Sequence, residues 1–223
     1  MIVTIDGPAG AGKSTVTQML AQELGFQCLD TGAMYRAVTW KAVQDGIDLE
    51  NETALQTVAA NLVLTFDLDR VLIGDRDVTK EIRTPEITRL VSKVADAVSV
   101  RRQLVGLQRR IASSGDFICE GRDQGTVAFP DAFFKVFLTA SANSRALRRS
   151  EQLRVAGHFV DFDQIVREQQ IRDAQDQSRQ VGRLQKADDA IEVNTDHLTI
   201  EEVVVKLAKL IRQRLNQPDS LQG

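Results

Sequence analysis

The chain has 223 residues, 43% apolar and 26% charged, with a formal net charge of −3, which fits one globular domain rather than a disordered or fibrous chain. A net negative charge argues against a general binder of nucleic acid or anionic membrane, because both need cationic excess. No stretch approaches the roughly 20 apolar residues of a membrane span, the first apolar run lacks a basic leader, and Cys28 and Cys119 sit in apolar stretches at a spacing that suits no zinc site. The expectation is a cytoplasmic protein with reduced thiols and neither nucleic-acid nor membrane partners.

Short apolar runs alternate with helical patterns along the chain. MIVTID (1–6), FQCLD (26–30), DFICEG (116–121), KVFLTA (135–140) and AIEVNT (190–195) read as strands buried on both faces. Helical periodicity covers 13–24, 31–45, 52–60, 84–95, 97–113, 141–156, 161–180 and 199–215. Strands alternating with helices predict an α/β fold: a central parallel sheet with helices on both faces. Residues 62–83 break the pattern with two alternating strands joined at Asp67–Arg70 and a turn at Gly74–Asp77, which predicts a small antiparallel insertion. Residues 144–184 are rich in Arg, Gln and Asp, so exposed helices forming a mobile lid are expected there. The last residues, NQPDSLQG, read as a frayed tail. No long apolar stripe is left over after the core is assigned, so a monomer is expected.

The stretch Gly7-Pro8-Ala9-Gly10-Ala11-Gly12-Lys13-Ser14-Thr15 fits G-x-x-x-x-G-K-[ST], directly after a strand and opening a helix. Glycines let the chain curl around a phosphate and aim its N–H groups inward. The helix start adds its positive dipole end. Lys13 would bridge the outer phosphates, and Ser14 would offer its hydroxyl to Mg²⁺. ATP or GTP is therefore expected at this loop, with the reaction left open.

In open parallel sheets, ligands sit beyond the carboxyl ends of the strands. Two strand tips beside the phosphate loop carry arginine: Thr31-Gly-Ala-Met-Tyr35-Arg36, where Thr31 can cap the next helix, and Glu120-Gly-Arg122-Asp123. Arginine matches phosphate bidentately, which suggests a second anionic substrate facing the nucleotide. The competing reading is surface ion pairs of Arg36 with Asp30 and of Arg122 with Asp123. Arg145, Arg148 and Arg149 share one helix face by spacing, and Arg172, Asp176 and Arg179 share another. Such cations could neutralise a phosphoryl group in transfer under a closing lid, or form a solvated face with Glu168, Asp173 and Asp176.

GPAGAGKST, LDTGAMYR, GDRDVTKEIRTPEI, VRRQL, EGRDQGTVAFPDA and RDAQDQSR occur in this order. Together they make the chain resemble the bacterial cytidylate kinases, nucleoside monophosphate kinases of the P-loop superfamily, from about residue 2 to about 212. The resemblance implies transfer of the γ-phosphoryl group of ATP to CMP or dCMP. It also implies one kinase domain: a core (1–61, 96–143 and 185–215), a CMP-binding insert (62–95) and a lid (144–184). Residue by residue, it implies that Arg36 and Arg122 hold the CMP phosphate and that Tyr35 lines its site, with Thr31 where the family often has Ser. Asp123 would accept from the cytosine amino group, with Ser92 and Arg101 reaching the base. Asp176 would take the ribose hydroxyls with help from Arg172, and Arg179 would lie near base and phosphate. Arg148 and Arg149 match lid arginines.

Uracil has a carbonyl where cytosine has its amino group, so a carboxylate at 123 should reject it. For Ser92 the alternative is a helix-surface serine, and for Asp123 a partner of Arg122. The chain departs from the family at Glu120, where Asp is commoner, and in the less typical lid sequence SEQLRVAGHFVDF. His158 and His197 match no motif and are expected in exposed loops. Outside this family, the P-loop also suits a kinase for UMP or shikimate, or an NTPase switch. A guanine-reading Asn-Lys-x-Asp motif is absent from the chain.

Overall fold

The computed structural model describes residues 1–67, 70–155, 157 and 159–216. The expected exposure of His158 and the fraying of residues 217–223 lie outside the described residues. Chain order runs β1 (Ile2–Asp6), α1 (Lys13–Leu24), β2 (Gln27–Asp30), α2 (Thr31–Gln44), α3 (Glu52–Asn61), β3 (Leu64–Asp67), β4 (Arg70–Ile73), β5 (Arg76–Asp77), α4 (Pro85–Asp96), α5 (Val98–Ala112) and β6 (Phe117–Gly121). A π-turn at Gln124–Ala128 follows, then β7 (Phe134–Thr139), α6 (Ala142–Val155), α7 (Phe162–Ser178), β8 (Ile191–Asn194) and α8 (Ile200–Leu215).

The main sheet has the order β2-β6-β1-β7-β8 and is parallel throughout. β1 pairs β6 from Ile2↔Phe117 to Asp6↔Gly121, which places the start of the phosphate loop beside the tip that carries Arg122. The crossovers change direction at β1, since β6 lies on one side of it and β7 on the other. That is where an open α/β sheet leaves a crevice for ligands. The second sheet, β3-β4-β5, is antiparallel, and the alternation at 62–83 predicts its first two strands; the third, Arg76–Asp77, lies where that reading put a turn, and it pairs Leu72 and Ile73 of β4.

One face of the main sheet packs α1 and α8 through Val16, Leu20, Leu207 and Ile211 against Ile5 and Leu138. The other packs α2 to α5 through Met34, Leu55, Val94 and Leu104. Each such side chain, fully buried, contributes on the order of 1.5–3 kcal/mol from burial. The antiparallel sheet docks on α2, with Val71, Val78 and Ile82 against Trp40. α6 and α7 share a smaller cluster of Ala146, Leu153 and Ile165.

Helix starts follow local chemistry. Asn51, Thr84 and Asp161 accept from backbone N–H groups three residues on, Pro85 opens α4, and Thr199 forms a capping box with Glu202. One expected cap differs. Asp30, not Thr31, caps α2 by accepting from Ala33 N at 2.8 Å. The Thr31 hydroxyl donates instead to Glu120 O at 2.7 Å, because the β2–β6 pairing brings that carbonyl within reach. Cys119 is buried, and the Cys28 thiol donates to Thr17 O. His197 is exposed. Among the described residues, no helix is long and apolar enough to cross a membrane.

Candidate active site

A cleft of about 1920 Å³ takes in the crevice at the carboxyl ends of the strands and runs on along α1 to Phe26 and Ser114. Its floor is the phosphate loop. Gly7 packs against β7 so tightly that a Cβ there would collide with the carbonyl of Leu138. Gly12 takes a left-handed conformation (φ 92°) immediately before α1 and puts no side chain over the helix start. The first N–H groups of α1 therefore face the cleft uncapped by any side chain, which suits an anion.

Lys13 is buried and lies back on its own loop, donating from Nζ to Gly7 O and Pro8 O, each at 2.8 Å. Burial, then the charge of Arg122, holds its pKa well below the ordinary lysine range. Glu120, at the end of β6, is raised above the usual carboxylate range by burial and by Asp30, while the Ser14 hydroxyl and Lys13 pull it back. Ser14 and Thr15 are exposed on the cleft wall. A lysine, a serine hydroxyl and a carboxylate thus converge at the loop. The spacing of GKS predicts the first two; Glu120 acquires its place only from the β1–β6 pairing.

The opposite wall is cationic. Arg36 Nη2 donates to Asp30 at 2.8 Å, so this expected ion pair exists. Arg122 does not pair with Asp123. Its Nε donates to Asp176 at 2.8 Å, and Asp176 also accepts from Arg179 Nη2 at 2.8 Å. Arg179 continues to Asp96 at 2.6 Å. Asp123 instead pairs with Arg101, and both side chains are 4% exposed. The Arg101 guanidinium also donates to Ala95 O and faces the Tyr35 ring at 5.3 Å. Ser92 is buried on α4 rather than lying on the helix surface, and it lines the same cleft.

The donors that find no partner are the most informative. Arg36 Nε, Arg172 Nε and the Tyr35 hydroxyl are buried with no hydrogen-bond partner among the described residues. Burial and then Arg122 bring Arg172 down to about 10, and Arg36 and Arg149 add to the effect. Arg149 is lowered by burial and by Arg36, with Glu168 opposing. Arg172 therefore lies against three other guanidinium groups, of which Arg36 and Arg122 are paired to Asp30 and Asp176, while buried donors go unsatisfied. An anion in the cleft relieves both costs.

The arginines of α6 divide. Arg148 donates to Thr195 Oγ1 and O at 2.9 and 2.7 Å and lines the cleft. Arg149 lines it too. Arg145 does not share their exposure: it is buried, pairs with Asp173 at 2.5 Å and donates to Ala9 O at 3.1 Å. It braces the phosphate loop from outside. Asp6 is a further residue that spacing does not single out. It ends β1, and its carboxylate accepts from Gln124 N and Gly125 N at 2.9 and 2.8 Å. The signal available was an acidic residue closing an otherwise apolar strand.

The cytidylate kinase family model matches residues 3–213. A cytidylate kinase from Rhodopirellula baltica is 46% identical over 213 residues, covering 96% of this chain and 93% of the relative. One from Pelotomaculum thermopropionicum is 47% identical over 207 residues, covering 91% and 92%. Among solved structures, an uncharacterized protein from Eubacterium ventriosum superposes with a TM-score of 0.53 at 11% identity, covering 95% of this chain and 98% of that one, a likeness of fold alone. The phosphate loop, the arginine wall and a family match over nearly the whole length converge: this chain belongs to the cytidylate kinase family.

Proposed function

We propose that the chain phosphorylates CMP and dCMP, transferring the γ-phosphoryl group of ATP to an oxygen of the acceptor phosphate. The observation that carries this reading is the wall of mutually repelling, partly unsatisfied arginines facing a P-loop, in a chain of this family. In this reading residues 7–15 cradle the ATP phosphates, and Lys13 turns from its own loop carbonyls to the β- and γ-phosphates. Arg36 and Arg122 grip the acceptor phosphate, and Tyr35 lines its site. Ser92, Arg101 and Asp123 read the base, Asp176 takes the ribose hydroxyls with help from Arg172, and Arg179 lies near base and phosphate.

The acceptor oxygen is already anionic, so no general base is required. Catalysis is positioning plus neutralisation of charge by Lys13, Arg122 and the lid arginines Arg148 and Arg149. Residues 62–95 serve as the acceptor-binding insert and 144–184 as a lid that closes to exclude water, within one kinase domain.

Among the described residues, no group of three or more His, Cys, Asp or Glu could hold a metal ion. The Ser14 hydroxyl beside the Glu120 carboxylate is an all-oxygen pair. This fits Mg²⁺, which takes one or two protein oxygens and fills the rest of its shell from phosphates and water. Ser14, with Glu120 beside it, would hold Mg²⁺, whose positive charge would offset that of the phosphates. The reading places the chain in the cytoplasm with its nucleotide substrates, as a monomer. Three of the most exposed apolar side chains on helices, Leu147, Ile171 and Val205, sit on α6, α7 and α8 respectively.

The test is an ADP-release assay with CMP, dCMP, UMP, AMP and shikimate as acceptors. CMP and dCMP should be turned over in strong preference. Preference for another acceptor, or release only without an acceptor, would overturn the reading in favour of a different kinase or an NTPase.

A further inference from the structure

We infer that Asp6 is a positioning residue for the acceptor nucleotide, holding the segment that presents Arg122 and Asp123 in register with the phosphate loop. The inference rests on the reading of this chain as a CMP kinase.

The ladder between β1 and β6 ends at Gly121. The next regular structure is the π-turn at Gln124–Ala128. Arg122 and Asp123 lie between the two, so their placement depends on where that turn sits. Two tethers hold it. At its start, both oxygens of the Asp6 carboxylate accept backbone amides, Gln124 N at 2.9 Å and Gly125 N at 2.8 Å. At its end, the Arg109 guanidinium donates to Val127 O at 2.9 Å and to Ala128 O at 2.7 Å. Arg109 belongs to α5, the same helix that sends Arg101 to Asp123. The acceptor-reading residues are thereby fixed to the phosphate-loop strand at one end and to the base-reading helix at the other.

The Asp6 carboxylate is buried, with Asp123, Lys13 and Cys119 as its titratable neighbours. Each of its two oxygens accepts one amide of the turn. Burying a carboxylate near a second one is unfavourable, and a short apolar residue would spare that cost. What the carboxylate adds is two acceptors at one point. Asparagine offers one, and its amino group would face an N–H.

Asp6 also adjoins Gly7, yet the phosphate loop has tethers of its own. Lys13 binds Gly7 O and Pro8 O, and Arg145 binds Ala9 O. Loss of the Asp6 tether therefore falls on the acceptor side rather than the ATP side.

The experiment is steady-state kinetics of Asp6→Asn and, separately, Arg109→Met, varying CMP at saturating ATP and ATP at saturating CMP, with UMP as the competing acceptor. In both variants KM for CMP should rise about tenfold or more, because a charge-assisted tether is lost. The preference for CMP over UMP should shrink, and KM for ATP should stay within about twofold. A folded Asp6→Asn protein with unchanged KM for CMP, or with equal rises in both KM values, overturns the inference. If Asp6→Asn does not fold, Arg109→Met decides it by the same criteria. Wild-type turnover of CMP in the same assay keeps the two readings apart: without it the proposed function fails, whereas with it and with unchanged variants only the role of Asp6 fails.

Discussion

The Asp6 carboxyl makes stability depend on pH in the direction opposite to a salt-bridged acid. Burial, with a smaller contribution from Asp123, raises it from 3.8 to about 6, against the pull of its two amide hydrogen bonds and Lys13. Between those values the folded chain keeps a proton that the unfolded chain has released. Stability is therefore lost as pH rises through the window, and the loss is complete above about pH 6. The full difference corresponds to about 3 kcal/mol, of which about 2 kcal/mol falls between pH 4.5 and 7.5. Asp30 and Asp176, held low by facing arginines against their own burial, give the opposite slope, with stability lost as pH falls. Comparing wild type with Asp6→Asn cancels those slopes, because Asn does not titrate. Urea unfolding of both proteins across this range should show the difference moving in favour of Asp6→Asn by about 2 kcal/mol, near 1 M in midpoint at an m-value of about 2 kcal/mol/M. Parallel curves would mean that Asp6 ionises like an exposed carboxylate, and the burial argument would be wrong. A variant about as stable as wild type at neutral pH also removes loss of folding as an explanation for any change in KM.

Lys13→Ala should lower kcat by about a thousandfold or more with an unchanged circular dichroism spectrum; near-normal turnover would remove the phosphate loop from catalysis. Asp123→Ala should cost about 3–5 kcal/mol in denaturant unfolding, because it strands the buried Arg101 guanidinium, and should cut the preference for CMP over UMP; an unchanged preference excludes Asp123 from base recognition. Arg145→Ala should cost a similar amount and raise KM for ATP more than KM for CMP, since it strands Asp173 and frees Ala9 O. A loss confined to KM for CMP would place Arg145 on the other wall. Chelation of Mg²⁺ should stop transfer while CMP still binds by calorimetry; loss of CMP binding would put the ion in the acceptor site instead.

Most of the architecture could be read along the chain, because local pattern carries it. A buried parallel strand announces itself as a short apolar run, as in IVTID and FICEG, and the phosphate loop as glycines closing on Lys-Ser at a helix start. The alternation at 62–83 sufficed for two of the three strands of the small antiparallel sheet; the third, Arg76–Asp77, is too short to show a period. Sequence alone therefore determined the fold class, the nucleotide loop and which residue types crowd the strand tips. It did not determine which charge meets which. Arg122 turned to Asp176, 54 residues away, instead of its neighbour Asp123, which met Arg101, 22 residues away. Asp6 bound amides 118 and 119 residues on. Helical spacing put Arg145 with Arg148 and Arg149, yet packing buried it under the phosphate loop. Periodicity says which side chains share a face. Only the order of strands in the sheet and the docking of helices over it say what that face meets, and a buried charge takes whichever partner this arrangement brings within hydrogen-bond reach.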